Sequence, residues 1–104
     1  MDAKPTYVTL ARVVEVCQIE PDLLLLYESE GLISPQRNEE GEILFSERDL
    51  RRLSTIIQLT RDLEVNLPGV EVILGMIERM ELLQEQLYEI FKYLSQEMKK
   101  QLSR

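Results

Sequence analysis

The chain has no histidine, no tryptophan and one cysteine, Cys17, in 104 residues. A lone thiol cannot form an intramolecular disulfide, so nothing argues for an oxidising compartment, and the expected location is cytoplasmic. Without histidine the commonest general base is missing. Nor can one cysteine supply the soft ligand set of a metal sensor, even at a site shared between subunits. The four glycines form no phosphate-cradling loop, and no nucleophile has a nearby base. Catalysis, metal binding and any cofactor are therefore not expected. Long apolar runs are absent too: the longest aliphatic stretch, Leu23 to Leu26, falls far short of the roughly 20 residues that cross a bilayer. The N-terminus shows no basic patch followed by an apolar core, so no secretory signal is visible.

What the chain does have is negative charge, a net −7 from 19 acids and 12 bases. Residues 20–49 carry that imbalance by themselves, with nine acids against two arginines, Arg37 and Arg48. A protein that neutralises phosphates gains from counterion release only with a basic face, so the charge argues against nucleic acid as a partner. The composition, 44% hydrophobic and 30% charged, is that of a chain that folds. Its small size limits the surface it can bury alone, which points to a partner subunit.

Leu10, Val13, Val14 and Cys17 recur at helical spacing behind Thr9, a good cap, which predicts a helix over 10–17. Cys17 lies on its apolar face and reads as a small buried hydrophobe. Pro21 suits the first position of a second helix running to about Glu30, where Gly31 ends it. Leu32-Ile33 and Ile43-Leu44-Phe45, separated by Pro35 and a polar stretch ending in Glu40-Gly41, predict a hairpin or wing. Ser46-Glu47-Arg48-Asp49 resembles a capping box with Asp49 in the last place, predicting a third helix from Glu47 to about Leu63. Its inner stripe is Leu50, Leu53, Ile56, Ile57 and Thr60. Pro68 then opens a helix that could reach Leu102. Ile73, Met76, Ile77, Met80, Leu83, Leu87, Ile90, Phe91, Leu94 and Met98 advance along it by steps of three and four, so this stripe requires another helix. The predicted organisation is a head over residues 1–66 and a long dimerisation helix over residues 67–104.

Thr9-Leu10-Ala11 with Val13, then Pro21, Tyr27-Glu28, Gly31-Leu32-Ile33, Pro35, Gly41 and Phe45-Ser46 with Asp49-Leu50 resemble the N-terminal winged helix-turn-helix of the MerR superfamily. The resemblance implies a mainly α fold: a winged helix-turn-helix head followed by a long C-terminal helix that pairs as an antiparallel coiled coil in a homodimer. DNA-reading members carry an arginine and an aromatic residue before the tyrosine-glutamate pair, where this chain has Leu25 and Leu26. They follow the wing glycine with an aromatic and an arginine, where this chain has Glu42 and Ile43. Asp62 to Val70, with Leu67-Pro68-Gly69-Val70, leads into the long helix and resembles the CbpM-like chaperone modulators, though heat-shock repressors of the superfamily have a similar turn. Those modulators bind and inhibit the J-domain of a DnaJ-like, DNA-associated co-chaperone.

A J-domain presents a basic helix, which an acidic face could occupy. The candidate rim is Glu28 and Glu30 on the second helix with Glu39, Glu40 and Glu42 on the wing, and Leu24, Leu25 or Leu26 is the apolar anchor. Four consecutive residues span every side of a helix, so at least one of these leucines must leave the core. The plainer alternatives are a solvated acidic face and leucines that pack. A MerR-type regulator with weak or indirect DNA binding is the second functional reading, and a dimerising adaptor the third.

Overall fold

The structure is a computed structural model that describes residues 6–103. It is mainly helical. In chain order the elements are β1 (Val8–Thr9), α1 (Leu10–Cys17), α2 (Pro21–Ser29), β2 (Gln36–Arg37), β3 (Ile43–Phe45), α3 (Glu47–Ile57), a π-helical turn (Gln58–Asp62) and α4 (Leu67–Leu102). The chain divides into two compact units, with the boundary between Val70 and Glu71.

Local chemistry sets most of the head's boundaries. Thr9 accepts a hydrogen bond from the Arg12 N–H at 3.3 Å and so satisfies one free donor at the start of α1. Pro21 occupies the first turn of α2, where a missing N–H costs nothing. At the other end Gly31 adopts φ +76°, and the Leu32 N–H returns to the Tyr27 carbonyl at 2.9 Å. The capping box before α3 is complete, because Ser46 accepts from the Asp49 N–H while Asp49 accepts from the Ser46 N–H.

The wing differs from the expectation in one respect. Leu32 and Ile33 form no strand and are instead core residues, 3% and 1% exposed. Pairing begins only after Pro35, which has no N–H to give to a ladder. The sheet has three strands in the order β1-β3-β2, all antiparallel, with Val8 opposite Phe45 and Gln36 opposite Leu44. β1 was not anticipated, since two residues carry no readable alternation. The helical stretch from Glu47 reaches Asp62, but its last five residues wind as a π turn.

Val13, Leu24, Tyr27, Ile33, Phe45, Leu53, Ile56 and Val70 are buried and make the core of the head from both sides of the helix-turn-helix, the wing and α3. Asp49 is buried among them at 5% exposure, and its Oδ1 also accepts the Ser34 N–H at 3.1 Å. Arg61, placed by the π turn, donates to the Cys17 and Gln18 carbonyls at 3.1 and 2.8 Å. That satisfies the end of α1 where Gln18 turns left-handed at φ 50°. Asn66 accepts the Gly69 N–H at 2.9 Å and starts α4, which runs for 36 residues, about 54 Å at 1.5 Å per residue.

Two substitutions test this account with opposite signs in urea denaturation. Asp49→Ala removes a cap and strands the Ser34 donor, and should cost about 2 kcal/mol or more. Glu64 holds a left-handed φ of 54°, which disfavours any side chain. Relieving it with Glu64→Gly should stabilise the fold by about 0.5–1 kcal/mol, after subtracting the entropy that glycine adds to the unfolded chain.

Candidate partner-binding face of the head

α2 is the second helix of the helix-turn-helix, and burial sorts its residues into core and surface. Leu24 and Tyr27 point into the core, at 1% and 3% exposure, so Leu24 is placed as a packing residue and not on the surface. Leu25 and Leu26 lie outside the core at 42% and 40% exposure. Pro21, Asp22, Ser29 and Glu30 are exposed beside them on the same helix, while Leu23 and Glu28 are half-buried. No base occurs anywhere in α2. The side of the helix that meets solvent is thus apolar and acidic.

The wing adds more acid. Asn38 shapes its tip: its side-chain oxygen accepts the Glu42 N–H at 2.8 Å, its amide donates to the Glu42 carboxylate at 3.1 Å, and Gly41 turns the chain at φ +81°. Glu39, Glu40 and Glu42 are all exposed there. Arg37, the wing's one base, is spent on α2, with Nη1 and Nη2 donating to the two Glu28 carboxylate oxygens at 2.8 and 3.0 Å. That bidentate geometry joins wing and helix into one face. It also favours the charged form of both partners. The hydrogen bonds from Arg37 hold the Glu28 carboxyl below its ordinary value, against burial and the Asp49 charge, which push it up. The Arg37 guanidinium is pushed up by the same contacts.

The other arginines of the head are also engaged within it. Arg12 pairs with Glu15, Arg51 with Glu47, Arg52 donates to the Leu32 carbonyl, and Arg61 caps α1. Arg48 likewise has an internal partner. Exposed pairs of this kind are weak, so they mark where charge is balanced more than they hold the fold. Sequence reasoning missed the Glu28–Arg37 pair, because nothing local links residues nine apart across a turn. It also missed Val16, which leaves 64% of its surface exposed on α1. Cys17 is half-buried. On α4, Ile73 and Ile77 are half-buried, and the other eight residues of the predicted stripe are exposed. Among the described residues no helix is long and apolar enough to cross a membrane.

With the head and its long helix described, comparison with known proteins places the fold. The sequence profile for MerR HTH family regulatory proteins matches residues 8–92, from the first strand well into α4. The chain belongs to the MerR HTH family. A solved structure similar to this MerR-family chain is HiNmlR, described as a MerR family regulator lacking the sensor domain, bound to promoter DNA. It is 26% identical, with a TM-score of 0.55 over 86% of this chain and 80% of that one. No curated protein matches. The expectation that nucleic acid is not a partner gains no support from this likeness, since the similar MerR structure is itself a DNA complex.

The Glu28–Arg37 pair has a signed pH dependence. A carboxyl whose folded pKa is depressed contributes stability above its unfolded pKa, and that contribution is lost as pH falls through the lower, folded value. The clip between wing and α2 is therefore intact at neutral pH and opens only in acid. A carbon-detected NMR titration of Glu28 should give a midpoint below the ordinary glutamate range of about 4.3, returning toward it in Arg37→Gln. An unchanged midpoint in that variant would show that the pair does not form in solution.

Proposed function

We infer that this MerR-family protein is a chaperone modulator, in which the α2–wing face binds the basic helix of a J-domain co-chaperone and keeps it from its chaperone. The observation that carries the reading is the exposed side of α2, where Leu25 and Leu26 stand out on a helix that carries carboxylates and no base of its own. An apolar centre with a charged rim is the build of a protein interface. The rim is Glu30, Glu39, Glu40 and Glu42, with Glu28 held in its charged form by Arg37. Complementary charge of this kind speeds encounter and selects the partner, while the leucines supply desolvation. Two such faces belong to a homodimer joined through the α4 stripe, which suits a modulator that needs no catalysis and no cofactor.

A second reading has its own support. A MerR relative without a sensor domain is described in complex with promoter DNA, so this chain would act as a transcriptional regulator with weak or indirect DNA binding. A helix-turn-helix reads DNA by placing its second helix in the major groove, with basic side chains fixing register on phosphates. In this chain that helix brings Asp22 and Glu30 to the groove, each of which repels the backbone.

Calorimetry at two salt concentrations separates the readings. With a purified J-domain, the wild-type protein should form a stoichiometric complex. Glu39→Lys with Glu40→Lys, and separately Leu25→Ala, should each weaken it by about tenfold, and only the charge reversal should also reduce its salt dependence. Sequence-selective retention of a duplex with a steep negative salt slope, together with no J-domain complex, would instead establish the DNA-reading function.

A further inference from the structure

Arg37 is the one base in α2 and the wing. Its placement gives it a part beyond neutralising Glu28. β2 is two residues long and lies at the edge of the sheet. Two pairings join it to β3, Gln36 with Leu44 and Arg37 with Ile43. From that edge Arg37 reaches across to α2 and places two hydrogen bonds on Glu28, at 2.8 and 3.0 Å. Past Arg37 the chain closes on itself. The Asn38 N–H donates to the Glu42 carbonyl at 3.1 Å, and the Gly41 N–H to the Asn38 carbonyl at 3.0 Å. The Asn38 side chain also holds the Glu42 N–H and carboxylate. The tip is thus fixed to β2, and β2 is tied to α2 through Arg37, so Glu39 and Glu40 are placed by that series of bonds.

Glu28 differs from the acids of the tip. Its side chain is 23% exposed, and both of its carboxylate oxygens already accept from Arg37. A cation on a partner would have to displace Arg37 to reach them. Glu39 and Glu40 are exposed. We propose that Glu28 and Arg37 are positioning residues: the pair sets the wing tip relative to Leu25 and Leu26, so the one base of an acidic face strengthens the binding of a basic partner helix instead of opposing it. The proposal rests on the chaperone-modulator reading, and it separates the acids that touch the partner from the one that holds the others in place.

Two effects of Arg37 oppose each other. Its charge repels a basic partner. That charge is 49% exposed and lies against the Glu28 carboxylate, and at physiological salt screening sets in over about 8 Å, so little of the repulsion crosses the face. Its geometry acts the other way, because a wing already ordered against α2 does not have to be ordered by the partner. Bidentate bonding fixes orientation as well as distance. A single charge faced by its own counter-charge is therefore the smaller effect, and the ordering of the wing is the larger.

Calorimetry on the full chain with a purified J-domain, at near-physiological salt, reads the sign. Arg37→Gln makes the protein one charge more negative, yet it should bind about fivefold more weakly. Glu28→Gln makes it one charge less negative and should weaken binding in the same direction. The double variant should be no weaker than the weaker single one, because both changes remove the same contact. Backbone heteronuclear NOEs should fall at residues 38–42 in all three and stay unchanged in α1 and α3, a pattern that a general loss of stability would not produce. Arg37→Lys keeps the charge and a donor, and should recover part of the affinity and of the wing order. Arg37→Gln that binds as tightly as wild type, or more tightly, would overturn the proposal. So would Glu28→Gln with an unchanged wing, even if Arg37→Gln did not fold. Absence of any complex with the wild-type protein would overturn the chaperone reading instead, a result told apart by the wing order, which the pair governs with or without a partner.

Discussion

Asp49 accepts hydrogen bonds from the Ser46 N–H, the Ser46 hydroxyl and the Ser34 N–H, so one buried carboxylate ties the start of α3 to the segment that leaves α2 for the wing. A buried carboxylate is tolerated only when its oxygens are satisfied in this way. The position of the wing follows from it, because β3 ends at Phe45, one residue before Ser46, and β2 lies against β3. Once the wing is placed, Arg37 can reach Glu28 and close the gap to α2. From the other direction Arg61 holds the left-handed turn that launches α2. The α2–wing face is thus positioned from both ends, by Arg37 on Glu28 and by Arg61 on the end of α1.

The leucine run in α2 is divided between core and surface. Leu24 and Tyr27 meet the requirement of the core, and Leu23 is half-buried. Leu25 and Leu26 must then face outward. They keep 42% and 40% of their surface exposed, two neighbouring apolar side chains outside the core of the head. Their presence on a helix that carries acids and no base of its own is the physical reason to propose that this MerR-family head is turned toward protein. The similar MerR structure is a promoter complex, so the same scaffold serves DNA in that protein.

How much of this the sequence revealed depends on how local each signal was. The ends of α1, the stop at Gly31, the capping box at Ser46 and Asp49, and the long run of α4 all rest on residues within a turn of one another, and all are legible. The wing was legible in kind but not in register, because Leu32 and Ile33 look like a strand and are instead core, while Gln36–Arg37 has no strand-like composition. The short β1 strand, the π turn and the Arg61 bonds depend on partners far away in sequence. So does the Glu28–Arg37 pair, which sets the one wing arginine against one acid of α2. Burial decided among the leucines, which a run of identical residues cannot do by itself.

The most direct test of the central claim is chemical-shift mapping on the isotope-labelled protein at near-physiological salt. Addition of an unlabelled J-domain should perturb Leu25, Leu26, Glu30 and the Glu39–Glu42 tip, while a promoter duplex leaves them unmoved. Saturable shifts of these same residues with the duplex, and none with the J-domain, would contradict the account.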